Sequence, residues 1–175
     1  MTDVFLIQPP IRDFYLTAKR TVPYGLTCIA AALLKAGFTV NIFDALATSR
    51  SRNIDLPAEI HFVRKYYPRP DRSPFGLFHQ YRHFGYAFEH IARAAKDSGA
   101  FLVGISALFT PYFQEALKVA EAVKRYHPTC KIVVGGHHPT ALPLSAMEHP
   151  AIDFVLLGEG EVSMPLLAKA LKAGT

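Results

Sequence analysis

Tryptophan is absent from the 175 residues, and cysteine nearly so, with only Cys28 and Cys130, each isolated. Two separated cysteines give neither a disulfide framework nor a zinc or iron–sulfur spacing, and they suit a reducing compartment. Long apolar runs are missing too. Half of the residues are hydrophobic, yet no run nears the ~20 that a membrane span needs. The opening "MTDVFLIQPP" has neither the basic region nor the small-residue cleavage site of a secretory signal. A soluble, cytoplasmic protein with no membrane partner is expected. Nucleotide-binding glycine patterns are also lacking. No G-x-G-x-x-G follows the first apolar run, and no G-x-x-x-x-G-K-[ST] occurs. A phospho-receiver needs acidic residues after its first strand and an Asp after its third; Gln8 and Ser106 stand there. The loop "QPPIRDF" is too poor in Ser, Thr and Gly for a flavodoxin phosphate loop.

What is present is a repeated alternation of strand and helix patterns. Five short β-branched or aromatic runs stand out: Val4–Ile7, Val40–Phe43, Phe101–Ile105, Ile132–Val134 and Phe154–Leu157. Each is apolar on successive residues, as strands are when helices cover both faces of a parallel sheet. Leu26, Ile29, Ala30, Leu33 and Leu34 form a helical stripe that Gly37 ends. Phe113, Ala116, Leu117, Ala120 and Val123 form another, with Thr110 as the expected N-cap and Pro111 at the first helical position. Two more helices are expected over Tyr86–Lys96 and Val162–Lys172. The order predicts an α/β fold: a doubly wound, mainly parallel five-stranded sheet of flavodoxin-like or Rossmann-like type. The whole chain, 1–175, reads as one domain.

Charge is distributed unevenly. Residues 45–85 carry seven Arg and Lys against three acids, which accounts for four of the net charge of +5. This stretch, about 46–85, is rich in Pro and aromatics and has poor periodicity. It is too long for an ordinary βα loop, and it reads as an irregular insert with one short helix near Ala58–Tyr66. Its Arg and Lys interleave with Tyr66, Tyr67, Phe75, Phe78, Tyr81 and Phe84, a composition that suits stacking on single strands. No nucleic-acid fold pattern accompanies it, so nucleic acid is not expected as a partner.

In open α/β sheets ligands bind at the carboxyl ends of the strands. Small residues cluster there: Ser106, Gly135, Gly136, Gly158 and Gly160. Each has a plain structural reading. Ser106 could cap a strand, the glycines could make tight turns, and Glu159 and Glu161 suit the positive end of the last helix. Together they also describe a slot into which a flat aromatic group could slide against bare backbone, with Ser106 as a hydrogen-bonding hydroxyl. His137 and His138 are adjacent and diverge, with no Asp, Glu or Cys at ligand spacing, so no metal site is expected. Tyr24 and Gly25 open the first helix. Cys28 lies within its stripe and reads as packing.

With these residues the chain resembles a known family. "SAL" at Ser106–Leu108 and "GG" at Gly135–Gly136 match the S-x-L and GG elements of cobalamin (B12)-binding domains. "VFLIQPP", "PYGLTCIAAALLKAGFTVNIFDA", "IVVGGHHPTALP" and "DFVLLGEGE" look like the N-terminal domain of cobalamin-dependent radical SAM proteins. That group includes methyltransferases and magnesium-protoporphyrin ester cyclase-like proteins. The resemblance implies that the nucleotide tail of cobalamin enters the slot and the corrin lies over the strand ends. It implies cofactor contacts from Tyr24, Gly25, Ser106, Leu108, Gly135, Gly136, His137, Pro139, Gly158, Glu159 and Gly160, with no catalytic residue in the domain itself.

Two departures qualify the resemblance. Some cobalamin domains carry D-x-H-x-x-G after strand one, and its His coordinates cobalt. Here the nearest string is "DFYLTA", Asp13–Ala18, with Tyr15 at the His position and no His between Gln8 and Gly25. A base-off cobalamin without a protein His ligand is therefore expected, its lower face open or covered by an apolar or phenolic side chain such as Tyr15. The radical SAM motif C-x-x-x-C-x-x-C is also absent. The [4Fe–4S] cluster and SAM are accordingly expected only in a further, radical SAM domain of a longer protein, which would be the partner of this one. The alternative expectation is a cofactor-free α/β module that meets a partner through the basic aromatic insert.

Overall fold

The computed structural model describes residues 2–15, 22–66 and 80–174. The central sheet has five parallel strands: β1 (Val4–Gln8), β3 (Val40–Asp44), β6 (Leu102–Ser106), β7 (Lys131–Gly135) and β8 (Phe154–Leu156). Their spatial order is β3-β1-β6-β7-β8, the doubly wound order in which the chain reverses direction across the sheet between β1 and β6. Helices α1 (Tyr24–Lys35) and α6 (Gly160–Ala173) cover one face, and α2 (Phe88–Ser98) and α3 (Phe113–Tyr126) the other. Two five-residue helices, α4 (His137–Ala141) and α5 (Pro143–Met147), connect β7 to β8. Among the described residues no helix is long and apolar enough to cross a membrane.

Strand residues alternate between faces. Phe5, Ile7, Val103, Ile105, Ile132 and Val134 pack with α2 and α3, where alanines such as Ala92, Ala95, Ala116 and Ala120 let the helices approach closely. Val4, Leu6, Leu102 and Val133 face Leu26, Ala30 and Leu33 of α1 and Met164 and Ala168 of α6. Helix α1 stops where expected. Gly37, at φ 91°, donates to the Leu34 carbonyl at 3.0 Å, and Phe38 donates to that of Leu33 at 3.1 Å. This paired closure needs a left-handed residue.

Two expectations change. The insert is not simply irregular. It contains the expected short helix, a 3-10 helix over Ala58–Lys65, and also β4 (Ser51–Asn53) and β5 (Arg82–Phe84). These join β2 (Ile11–Asp13), in the loop after β1, as an antiparallel sheet of order β2-β5-β4. Three-residue strands are too short to show a period, and their pairing partners are far apart in sequence. Phe84 is fully buried in this sheet, packed with Ile11 and Leu46. Tyr67, Phe75 and Phe78 lie outside the described residues. The second change concerns Thr110. It forms no cap hydrogen bond; Thr110–Tyr112 is a 3-10 turn leading into α3, and the threonine hydroxyl is engaged by His138.

Candidate functional site

The carboxyl ends of β1, β6, β7 and β8 open into a cavity of about 890 Å³, near the upper end of the ~300–1,000 Å³ usual for small-molecule sites. It lies on the α1/α6 face, at the point where the strand order reverses. The period of two explains its shape. On that face β6 presents Leu102, then Gly104, then Ser106, while β7 presents Val133 and then Gly135. The large side chains of Leu102 and Val133 give way to small residues toward the strand ends, so the layer that is packed at the bottom is open at the top.

Ten of the eleven residues singled out from the sequence line this cavity. Tyr24 and Gly25 come from the start of α1, Ser106 and Leu108 from the end of β6, Gly135, Gly136 and His137 from the β7 turn, and Gly158, Glu159 and Gly160 from the entry to α6. Pro139 does not line it; α4 turns this residue into the protein, where it is buried. Ser106 and Gly135 are not beyond the strands but form the last pair of the β6–β7 ladder.

The glycines have different jobs. A Cβ on Gly136 would lie 2.6 Å from the Ala107 carbonyl oxygen, and its φ is 129°. This glycine is required by the turn, in which Ala107 N–H donates to the Gly135 carbonyl at 2.8 Å and His138 N–H to that of Ala107 at 3.2 Å. Gly135 differs. A Cβ there would meet only Leu156, at 3.8 Å, so its bare backbone matters to the cavity and not to the turn. A Cβ on Gly160 would lie 2.9 Å from Ile29 Cδ1, which sets how closely α6 approaches α1.

The two histidines separate as expected. His137 is exposed at the cavity rim. His138 is buried, stacks on Phe113 with ring centroids 3.8 Å apart, and meets Thr110 Oγ1 at 3.2 Å through Nδ1. Burial lowers its pKa. Among the described residues no three His, Cys, Asp or Glu side chains gather as a metal site.

Several wall residues gave little or no sequence signal. Gly104 forms the floor: a Cβ there would lie 2.7 Å from Leu6 Cδ2 and 3.1 Å from Met164 Cε. An isolated glycine inside a strand pattern is the mark of such a close approach. Thr140 joins two loops, donating to the Gly136 carbonyl at 2.8 Å and accepting from Gly158 N–H at 3.0 Å. Across the cavity, Tyr15 and Tyr112 stand with their hydroxyls 3.2 Å apart, and Tyr112 donates to Asp13. Next to them Arg12 of β2 donates to the buried Glu115 of α3. Burial raises the Glu115 pKa while Arg12 opposes the rise. These contacts fasten the small sheet to α3 and make it one wall of the cavity.

A doubly wound domain whose small strand-end residues frame a cavity at the switch point is the architecture of several ligand-binding families. The comparison with family models selects one. The B12 binding domain matches residues 77–168, and the chain belongs to that family. Among curated proteins it is 30% identical over 167 residues to the cytidylyl-2-hydroxyethylphosphonate methyltransferase of Streptomyces wedmorensis, covering 93% of this chain and 27% of that protein. It is 38% identical over 88 residues to an uncharacterized methyltransferase of Pyrococcus horikoshii, covering 50% of this chain and 19% of the relative. The chain thus spans about a quarter or less of the length of these relatives. A solved structure of the Salmonella typhimurium RcsB response regulator superposes with a TM-score of 0.52 at 14% identity, covering 99% of this chain and 61% of that one. That likeness concerns the fold alone.

The residues fit the group the family implies. Gly135 leaves a cradle that a side chain would fill. The floor of Leu6, Val133 and Met164 is apolar, as a planar heterocycle requires, and Ser106 and Thr140 place hydroxyls on the wall. Met164 is an unbranched side chain that fits itself to what lies above it.

Proposed function

We propose that this chain holds cobalamin for a methyltransferase. The nucleotide tail enters the cavity between the sheet and helices α1 and α6, and the corrin lies over the strand ends. The observation that carries the reading is the convergence of ten residues, chosen from four separate loops, on one cavity. Gly135 gives the tail access to the sheet edge, above a floor that Leu6 and Met164 close over Gly104. Ser106 offers a hydroxyl to its polar atoms, while Thr140 holds together the two loops that frame them. Tyr24, 76% exposed, and Leu108, 42% exposed, stand at the rim, where an apolar macrocycle would cover them. When bound, the cobalt supplies a carrier for a methyl group; the protein supplies position and exclusion of water.

The cofactor is held base-off. No histidine lies between Gln8 and Gly25, so the loop after β1 offers cobalt no imidazole. Methyl transfer further requires a radical SAM domain with its own [4Fe–4S] cluster and SAM, to which this domain presents the cofactor. Both named relatives are methyltransferases several times longer than the matched segment, which supports a division of labour of this kind.

The test is direct. Purified protein is mixed with hydroxocobalamin, and excess is removed by gel filtration. Near-stoichiometric corrin absorbance with a base-off spectrum is expected, unchanged in His137→Ala. Absorbance no greater than that of an unrelated protein would overturn the proposal. A base-on spectrum, or one altered by His137→Ala, would overturn its ligand assignment.

A further inference from the structure

We infer that Met164 makes the cavity selective for the base at the end of the cofactor's tail, taking one with an alkyl far edge and rejecting one whose far edge carries a polar group. The inference rests on the cobalamin reading of this cavity.

The selectivity follows from the register of the sheet. Leu6, Gly104 and Val133 are partners across β1, β6 and β7 and form one rung of the open face. Two residues further along the same strands, roughly 6.6 Å nearer their ends, stand Gln8, Ser106 and Gly135. The upper rung carries hydrogen-bonding side chains, and the lower rung carries none. Nor does its backbone offer a substitute. Each of the three strands has a parallel neighbour on both sides, so the N–H and C=O groups of the lower rung are spent in the ladder.

Met164 closes this lower rung from the helix side. It lines the cavity yet is 2% exposed, and its Cε lies 3.1 Å from where a Cβ on Gly104 would stand. A thioether is at most a weak acceptor and donates nothing. Leu26 and Ile29 of α1 complete the apolar lining beside it. A base that reaches this floor exchanges water for carbon and sulfur. Methyl groups gain by that exchange. A hydroxyl loses its water partners and finds none in return. The unbranched chain of Met164 can also yield to the width of a substituted ring.

The probe is the cobamide in which hydroxybenzimidazole replaces the dimethylbenzimidazole of cobalamin. Both cofactors keep the same corrin, cobalt and imidazole nitrogen, so opening the bond from base to cobalt favours neither, and they differ at the far edge of the base. Affinities are measured by absorbance titration, with far-UV CD as a check on folding. Wild type should bind the hydroxy analogue about tenfold or more weakly than cobalamin. Met164→Gln sets an amide of similar length at the floor and should reduce that ratio to about threefold or less. Met164→Leu keeps the floor apolar and should keep the ratio. Equal affinity of wild type for the two cofactors, a ratio unchanged in folded Met164→Gln, or a ratio lost in Met164→Leu would overturn this inference alone. If Met164→Gln does not fold, the wild-type and Met164→Leu ratios decide. Failure of the wild-type chain to retain cobalamin would overturn the reading of the cavity, and this inference with it.

Discussion

The two faces of the central sheet are built by alternate residues of the same strands, yet one is a closed core and the other opens into a cavity. On the α2/α3 side, Val103 and Ile105 of β6 and Ile132 and Val134 of β7 keep their bulk to the strand ends, and all are buried. On the α1/α6 side the neighbouring positions change from Leu102 to the small Gly104 and Ser106, and from Val133 to Gly135. The backbone path is shared. The difference lies in side-chain volume at every second residue, so a binding site can be opened without disturbing the layer that holds the fold together.

The comparison can be broken from either side. Ile132→Ala removes bulk from the closed face and should lower unfolding free energy by about 2–5 kcal/mol. Chemical denaturation measures this loss. Cobalamin affinity of the folded fraction should not change, because Ile132 does not reach the cavity. A matching loss of affinity would show that the faces are not independent.

A smaller effect is expected at the far end of the open face, where Asp3 ties β1 to its covering layer. Asp3 accepts from Thr39 N–H at 2.8 Å, Thr39 Oγ1 at 2.7 Å and Lys172 Nζ at 2.9 Å. Led by the Thr39 backbone bond, these lower its pKa to about 2, against ~3.9 for a free Asp side chain. A depressed carboxyl contributes stability that is present above its unfolded pKa and is lost as pH falls through the folded one. Wild-type Tm should therefore drop more steeply than that of Asp3→Asn between about pH 4 and pH 2, while the two variants bind cobalamin alike at neutral pH. Parallel Tm curves would remove Asp3 from this role.

Much of the fold could be read from the chain. Apolar runs such as Val4–Ile7 mark strands because parallel strands are covered on both sides, and Gly37 marks the end of α1 because the closure there needs a left-handed residue. The glycine rim was legible for the same reason, since small residues at strand ends leave room. Other features were hidden by distance or brevity. Strands β2, β4 and β5 are three residues each, too short for a period to show. Tyr112 meets Asp13 across 99 positions, and no local pattern announces that. Thr110 had the type and place of an N-cap, but His138 engages its hydroxyl. Gly136 and Gly135 look equivalent in sequence; only the nearness of the Ala107 carbonyl separates the glycine that makes the turn from the one that leaves space.

That separation gives the most direct measurement. Gly135→Ala and Gly135→Val add one and three carbons at a position where a Cβ meets only Leu156, at 3.8 Å. Hydroxocobalamin affinity of the two variants, with thermal unfolding alongside, should fall in steps with added volume, by about tenfold or more for valine, while Tm stays near that of wild type. Undiminished affinity in Gly135→Val, with the protein still folded, would contradict the claim that the tail of the cofactor lies against this strand end.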